Sequence, residues 1–235
     1  MTETDRPRRR GRHAEKARND RRVLEAAREV FTTQGSDAPI AAVAERAGLG
    51  IGSLYRRYGS KEELLQQLCL LAMRQTADAA QAGLDIEDPW AGLVQYVQRC
   101  VAQRSGALAP VAGSIPVTVE MEQVSEQVWE LAEKLVARAK RAGALRDDVT
   151  TLDITLLIEM VSRRPPSGPA EEDDLTRRRL LAISLAGLRA PAVEPLPGPA
   201  PSIDAYHERW EQGGADLSRR ASSSSHWSSL PRSPS

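Results

Sequence analysis

Hydroxyl and basic side chains recur along one short segment of this chain with a spacing that suits contact with a nucleic acid. In a helical projection Ser53, Arg56 and Arg57 share one face, whereas Ile51 and Leu54 point to the opposite, inward face. An arginine can donate two hydrogen bonds to the edge of a guanine, or it can bind a phosphate. The major groove of DNA, which is about 12 Å wide, admits one α-helix. The segment therefore predicts a helix that reads DNA through its polar face.

Neighbouring residues favour close contact with the DNA backbone. Gly52 has no side chain, so it leaves room for the helix to approach DNA closely. Lys61 is expected in the first turn of the next helix, where its charge and the free backbone N–H groups together favour a phosphate. Ser60 and Glu63 have the spacing of a capping box, which predicts that this helix begins at Lys61.

Four predicted helices position these side chains. The first starts at Asn19, a good N-cap, and Gly35 ends it. The second and third cover about 40–47 and 51–57, and the fourth is long, about 61–82. Two short amphipathic helices joined by a glycine turn are typical of a helix-turn-helix reader of DNA.

Residues 19–68 resemble the DNA-binding domain of the TetR family of transcriptional repressors. The motifs that carry the resemblance are Phe31 and Gly35, Val43-Ala44-Glu45-Arg46-Ala47-Gly48, Gly52-Ser53-Leu54-Tyr55-Arg56-Arg57-Tyr58, and Lys61. The resemblance implies that Ser53, Arg56 and Arg57 contact bases or phosphates, that Tyr55 contacts the DNA backbone and that Lys61 contacts a phosphate. The predicted set of DNA-binding residues also includes Ile51, Gly52 and Tyr58. It also implies an all-α homodimer whose C-terminal domain binds a small-molecule effector. Relatives often have a Val-Ser turn before the third helix, where this chain has Leu49-Gly50, which predicts a weaker N-cap.

The remaining sequence predicts further helices and divides the chain into four parts. Helical patterns cover about 89–104, 117–142, 151–164 and 175–189, with a glycine- and proline-rich loop at 105–116. The four expected parts are a basic flexible arm at 1–18, the helix-turn-helix domain at 19–68, an effector-binding and dimerisation domain at 69–190, and a Pro/Ser-rich, disordered tail at 191–235. The arm contains Arg6, Arg8, Arg9, Arg10 and Arg12. One interpretation is that these arginines contact phosphates or the minor groove of DNA. The alternative is that the arm is a flexible tail that only favours solubility.

Large side chains on neighbouring predicted helices suggest where an effector binds. They are Trp90, Tyr96, Met121, Val128 and Trp129. Because little polar chemistry accompanies them, they favour a largely apolar ligand. The alternative interpretation is that they are ordinary core residues.

The last two predicted helices are apolar on more than one side, which requires burial against further helices. We expect them to form a four-helix bundle across a two-fold axis, through Leu157, Met160, Leu181, Leu185 and Leu188. The two recognition helices of such a homodimer would lie about 34 Å apart, which implies a palindromic operator.

Charge and composition fit a DNA-binding protein of a reducing cytoplasm. Residues 1–68 carry 14 Lys and Arg against 10 Asp and Glu, a net charge of +4, and the rest carries 18 against 22, a net charge of −4. Cys69 and Cys100 have no metal-ligand spacing, so no zinc site, structural disulfide or cofactor is expected. No apolar run reaches about 18 residues and the Arg-rich start lacks a following apolar region, so neither a membrane span nor a secretory signal is expected.

The sequence allows three classes of protein. A ligand-responsive DNA-binding repressor is favoured. An all-α enzyme would need a catalytic constellation, and the three histidines, His13, His207 and His226, fall in the predicted arm and tail. The third class is a helical protein-interaction module that has lost DNA binding. Either cysteine could sense oxidation, although buried helix cysteines are usually inert.

Overall fold

The computed structural model describes residues 6–163, 168–191, 194–203 and 206, and their regular structure is helical. The α-helices of this part of the chain are α1 Arg6–Gln34, α2 Ile40–Ala47, α3 Ile51–Tyr58, α4 Lys61–Leu84, α5 Pro89–Ala102, α6 Ala109–Ala112, α7 Val119–Arg141, α8 Thr151–Arg163 and α9 Ala170–Leu188. A 3-10 helix, Ser105–Leu108, leads directly into α6. The predicted all-α fold class is confirmed.

Two helices begin where their capping residues predicted. Ser60 accepts a hydrogen bond from the N–H of Glu63 at 3.0 Å, which starts α4 at Lys61. Asp88 accepts two, from the N–H groups of Trp90 and Ala91, which starts α5. The bounds of α2 agree with the predicted 40–47. The starts of α4 and α5 are local, because each depends on the side chain of the residue just before the helix, whereas α2 begins without a side-chain cap.

Two predicted helix starts are wrong. The first helix begins at Arg6 and not at Asn19, so the backbone of 6–18 is helical where a flexible arm was predicted. The side chains of that stretch, and all of residues 1–5, lie outside the described residues. The last helix begins at Ala170 and not at Leu175, because Glu171, Glu172 and Asp173 form an acidic first turn that the helix dipole favours.

The buried side chains form two clusters. The first lies among α1, α2, α3 and the start of α4, and it also includes Leu108, Val111, Ile115 and Met121 from beyond the DNA-binding segment. The second lies among the rest of α4, α5, α7, α8 and α9. Helix α4 therefore contributes to both clusters and connects the two parts of the fold.

Helices α4 and α5 cross at a pair of glycines. A Cβ added to Gly92 would lie 2.3 Å from the carbonyl oxygen of Gly83, and one added to Gly83 would lie 2.7 Å from that of Gly92. Only glycine at both positions allows the two backbones to approach this closely.

The chain that follows α9 stays bound to the helical domain for several residues. Arg146 donates to the carbonyl of Glu194 at 2.6 Å, and the Asp148 carboxylate accepts from the N–H of Leu196 at 2.8 Å. Hydrogen bonds from the Arg146 guanidinium and from that N–H hold the pKa of Asp148 below its usual range. These two hydrogen bonds lie at the start of the segment predicted to be disordered, 191–235. The Ser-rich segment 218–235, like 207–217, lies outside the described residues.

A search of the described helices for a membrane span finds none of sufficient length and hydropathy.

Candidate DNA interface and candidate effector cavity

The turn between α2 and α3 is built by backbone geometry alone. Gly48 has a φ of +65°, a left-handed conformation that glycine adopts without strain. The N–H of Leu49 donates to the carbonyl of Ala44 at 2.9 Å, which ends α2. Gly50 then precedes α3 without any side-chain cap, as the sequence predicted. The short turn places α3 against α1 and α2 with one face toward solvent.

The inward and outward faces of α3 differ from the prediction at two residues. Leu54 is 1% exposed and Tyr58 is 8% exposed, and this pair forms the buried face. Ile51, predicted to point inward, is 45% exposed. It is the first residue of the helix and lies beyond the edge of the core that Leu54 and Tyr58 fill. Tyr58 is the last residue of α3 and was expected to contact DNA.

The exposed face of α3 carries the side chains expected to contact DNA. Ser53 and Arg56 are both exposed, and the guanidinium of Arg56 donates to the Ser53 hydroxyl oxygen at 3.0 Å. Tyr55 is 46% exposed on the same helix, and Gly52 has no atom within 4 Å of an added Cβ. This face therefore offers donors, an aromatic hydroxyl and an open backbone approach.

Arg57 and Tyr58 instead join α3 to α1. The Arg57 guanidinium forms an ion pair with Asp20, and the Tyr58 hydroxyl donates to the same carboxylate at 3.4 Å. The hydrogen bond to Asp20 raises the pKa of Arg57, and burial raises the pKa of Tyr58 to about 12. Both side chains therefore anchor the recognition helix to α1. Their partner, Asp20, is 37 residues from Arg57 in sequence, and no local pattern predicts the pair.

Lys61 occupies the first turn of α4, as predicted. Its side chain is half-buried, and its Nζ lies 5.7 Å from the centre of the Phe31 ring. A cation over an aromatic face is stabilised by the ring quadrupole, which holds the ammonium beside the end of α3. From there it can reach a phosphate that a docked α3 would bring close.

A cavity of about 550 Å³ lies among the helices that follow the helix-turn-helix. Its walls come from α4, the 3-10 helix, α6, α7, α8 and Tyr206. Met121 and Val128, two of the five residues predicted to bind an effector, line it. Trp90, Tyr96 and Trp129 do not: Tyr96 is 3% exposed in the second core cluster, and Trp90 packs against that cluster with Arg189 over its ring.

Most of the cavity wall could not be predicted from local sequence patterns. The lining residues that were not predicted include Met73, Leu108, Ile158, Glu159 and Tyr206. They come from elements far apart in sequence, so only the packing of α4 against α7 and α8 brings them together.

Both cysteines are buried thiols. Cys69 is 2% exposed and lines the cavity, and Cys100 has no exposed surface in the second core cluster. Burial raises the pKa of each to about 12. The thiolate is the form that reacts with oxidants, so both residues are expected to be inert at neutral pH.

The residues predicted to form a dimer interface fall into two groups. Leu181 and Leu185 are 4% and 6% exposed and belong to the core, and Leu157 and Leu188 pack partly against it. Met160 is 65% exposed. The apolar side chains left uncovered on α8 and α9 are Met160, Leu175, Leu180 and Ile183. The uncovered face therefore includes residues of α9 that the prediction did not name.

Two family models match this chain, and they fall on the two parts of the fold. Residues 23–68 match the model of bacterial regulatory proteins of the tetR family. Residues 88–190 match the model of the C-terminal domain of SbtR-like transcriptional regulators. The chain belongs to the TetR family of transcriptional regulators, so it is a DNA-binding regulator and not an enzyme.

Solved structures give the same fold. A TetR transcription regulatory protein from Mycobacterium vanbaalenii is 27% identical, covers 76% of this chain and 99% of its own, and has a TM-score of 0.53. The regulator SCO0520 from Streptomyces coelicolor is 24% identical over 74% of this chain and 99% of its own, with a TM-score of 0.53. The ketosteroid transcriptional regulator KstR2 of Mycobacterium tuberculosis is 20% identical, covers 72% of this chain and 95% of its own, and also has a TM-score of 0.53. A comparison with curated proteins gives no significant match.

Proposed function

We propose that this chain is a ligand-responsive, one-component repressor that binds a palindromic operator as a homodimer and is released by a small, largely apolar effector. The observation that carries the proposal is the two-sided recognition helix α3. Its buried side is anchored by Leu54, Tyr58 and the Arg57–Asp20 ion pair. Its outer side presents Ser53, Tyr55 and Arg56 to solvent.

The proposed operator contacts divide by chemistry. Arg56 is the residue best suited to a base edge, because a guanidinium matches the two acceptors of guanine. Tyr55 and Lys61 are suited to phosphates, which set the position of the protein but carry no sequence information. Ser53 and Ile51 complete the surface, and the Ile51 side chain suits apolar contact such as a thymine methyl group.

The uncovered apolar face of α8 and α9 supports the homodimer. Four large apolar side chains of these two helices are each more than two-fifths exposed, and exposed apolar surface of this kind is typical of a protein–protein interface. A second copy related by a two-fold axis would bury Met160 and Ile183 and would set two α3 helices about one turn of DNA apart. Such a dimer acts where DNA is, so we place it in the cytoplasm, on the nucleoid when bound to its operator.

Shared residues support coupling between effector and DNA. Leu108 and Met121 line the cavity and also belong to the core cluster of the DNA-binding helices. Arg28 on α1 donates to Gln75 on α4 at 2.8 Å, next to the cavity residue Thr76. A ligand that moves α4 or α6 would therefore move α1 and α3 with them.

Fluorescence anisotropy with labelled DNA from upstream of its own gene tests the proposal. An unrelated duplex of equal length and base composition is the control. We expect affinity for the upstream DNA to exceed that for the control by about a thousandfold or more, with a steep loss of affinity as salt rises. Equal weak binding to both duplexes would contradict sequence-specific regulation, and no salt-dependent binding to either would favour the interaction-module alternative.

A further inference from the structure

The charged residues that line the cavity all have the same sign. Glu122 and Glu126 come from α7 and Glu159 comes from α8, and none of the described lining residues is Lys, Arg or His. Within the described part of the chain no cation forms an ion pair with any of these three carboxylates. The charge that a glutamate side chain can carry is negative, so the described lining residues offer acceptors and negative charge but no basic group.

Glu159 is the most deeply placed of the three. It is 7% exposed, whereas Glu122 and Glu126 are exposed at the rim. Its Oε1 accepts a hydrogen bond from the Tyr206 hydroxyl. A carboxylate has about four acceptor sites, so one donor satisfies only a small part of its capacity. Burial of a carboxylate that has no cation beside it costs free energy, which an incoming positive charge would offset.

The backbone around Glu159 is held firmly against the cavity wall. A Cβ added to Gly106 would lie 2.5 Å from the Cα of Glu159, so the 3-10 helix packs directly on α8 at this residue. This close packing fixes where the Glu159 side chain starts. A carboxylate at a fixed position can select a ligand by the ligand's charge and by the distance between that charge and the ligand's apolar body.

The rest of the cavity surface is mainly apolar. Its larger apolar side chains are Met73, Leu108, Val117, Met121, Val128 and Ile158. An apolar wall with acidic residues at one buried point and at the rim matches a ligand that has an apolar body and one cationic group.

We propose that the effector is an organic cation, with its apolar body between α4 and α7 and its ammonium group paired with Glu159. Glu122 and Glu126 add attraction at the rim. This inference rests on the proposed function, because it assigns the chemical class of the effector that the cavity takes.

Isothermal titration calorimetry on the full chain, without DNA, tests the charge preference. The probes are decylammonium, decanol and decanoate, which share one apolar chain and differ in charge. We expect decylammonium to bind about tenfold or more tightly than decanol, since a charge-assisted hydrogen bond is about twice as strong as a neutral one, and we expect decanoate to bind least.

Two matched variants separate charge from folding. Glu159→Gln keeps the shape of the side chain and removes its charge, and we expect it to lower the affinity for decylammonium about 10- to 100-fold. Its affinity for decanol should fall much less than its affinity for decylammonium, which shows that the cavity is intact. Glu133→Gln is the control, because Glu133 is exposed on α7 and does not line the cavity. It should change neither affinity.

Two results would overturn the inference. If decanol or decanoate binds as tightly as decylammonium, or if Glu159→Gln keeps the preference for the cation, the charge assignment is wrong and the cavity remains an apolar effector site. If none of the three probes binds, both the charge assignment and the apolar-effector proposal are wrong. DNA binding is judged separately, by the anisotropy experiment.

Discussion

Replacement of either of two adjacent arginines on the recognition helix should impair a different property of the protein. Arg57 pairs with Asp20 on α1, and its side chain is 23% exposed. Arg56 is exposed, and its only described partner is Ser53 one turn away. Arg57→Ala should therefore lower the stability of the fold, and Arg56→Ala should lower the affinity for operator DNA.

The sizes of the two effects follow from these surroundings. A hydrogen bond to a charged group contributes about 1.5–3 kcal/mol. Asp20 is 37% exposed, so solvent screening reduces the value for Arg57 to about 1 kcal/mol. A chain of this size then loses about 2–4 °C in Tm. Loss of a base contact by Arg56 should cost about 1–3 kcal/mol, which is about 5- to 150-fold in operator affinity.

Thermal unfolding and fluorescence anisotropy on the same preparations measure both effects. A double-mutant cycle with Asp20→Ala isolates the ion pair, because Arg57→Ala should cost little once Asp20 is gone. An Arg56→Ala variant that loses as much Tm as Arg57→Ala would contradict an exposed, DNA-facing role for Arg56. A full effect of Arg57→Ala in the Asp20→Ala background would show that Arg57 does not act through Asp20.

Three further predictions concern packing, assembly and the thiols. Gly92→Ala should lower the free energy of unfolding by about 1–3 kcal/mol in thermal unfolding, since the added Cβ would clash with the Gly83 carbonyl. The control Gly52→Ala should not lower it, because an added Cβ there has no atom within 4 Å. Equal losses in the two variants would contradict the close crossing of α4 and α5. Ile183→Glu should leave the helical circular dichroism unchanged, yet give a monomer by sedimentation and abolish operator binding; a persistent dimer would place the interface elsewhere. Because burial raises the pKa of Cys69 and Cys100 to about 12, only about one thiol in ten thousand is ionised at pH 8, so Ellman's reagent should react slowly until the protein is unfolded; fast labelling of the folded protein would show an accessible thiolate.

Local signals in the sequence predicted the helix-turn-helix well. Ser60 and Asp88 cap their helices, and Gly48 ends α2, because each acts within a few residues. Leu54 was placed inward correctly. Ile51 was not, because helical periodicity gives the direction of a side chain and not the point at which the core ends.

Long-range packing decided what the sequence could not predict. Arg56 and Arg57 look alike in sequence, and only the position of Asp20 on α1 separates an outward residue from an anchoring one. The cavity follows the same rule. Their size suggested that the aromatic residues Trp90 and Tyr96 bind a ligand, but Tyr96 lies in the second core cluster and Trp90 packs against it. The open space is lined by other residues, mainly on α4 and α7.

Leu108 and Met121 form part of the cavity wall and part of the DNA-binding core at once. Under the proposed function this sharing has a thermodynamic consequence, because the coupling between two ligands of one protein is reciprocal. An effector that weakens operator binding a hundredfold, about 2.7 kcal/mol, must itself bind a hundredfold less tightly to the protein on its operator. The dimer without DNA then binds effector at a lower concentration than the dimer on its operator does. Release of a dimer from its operator therefore requires a higher effector concentration than saturation of the free dimer.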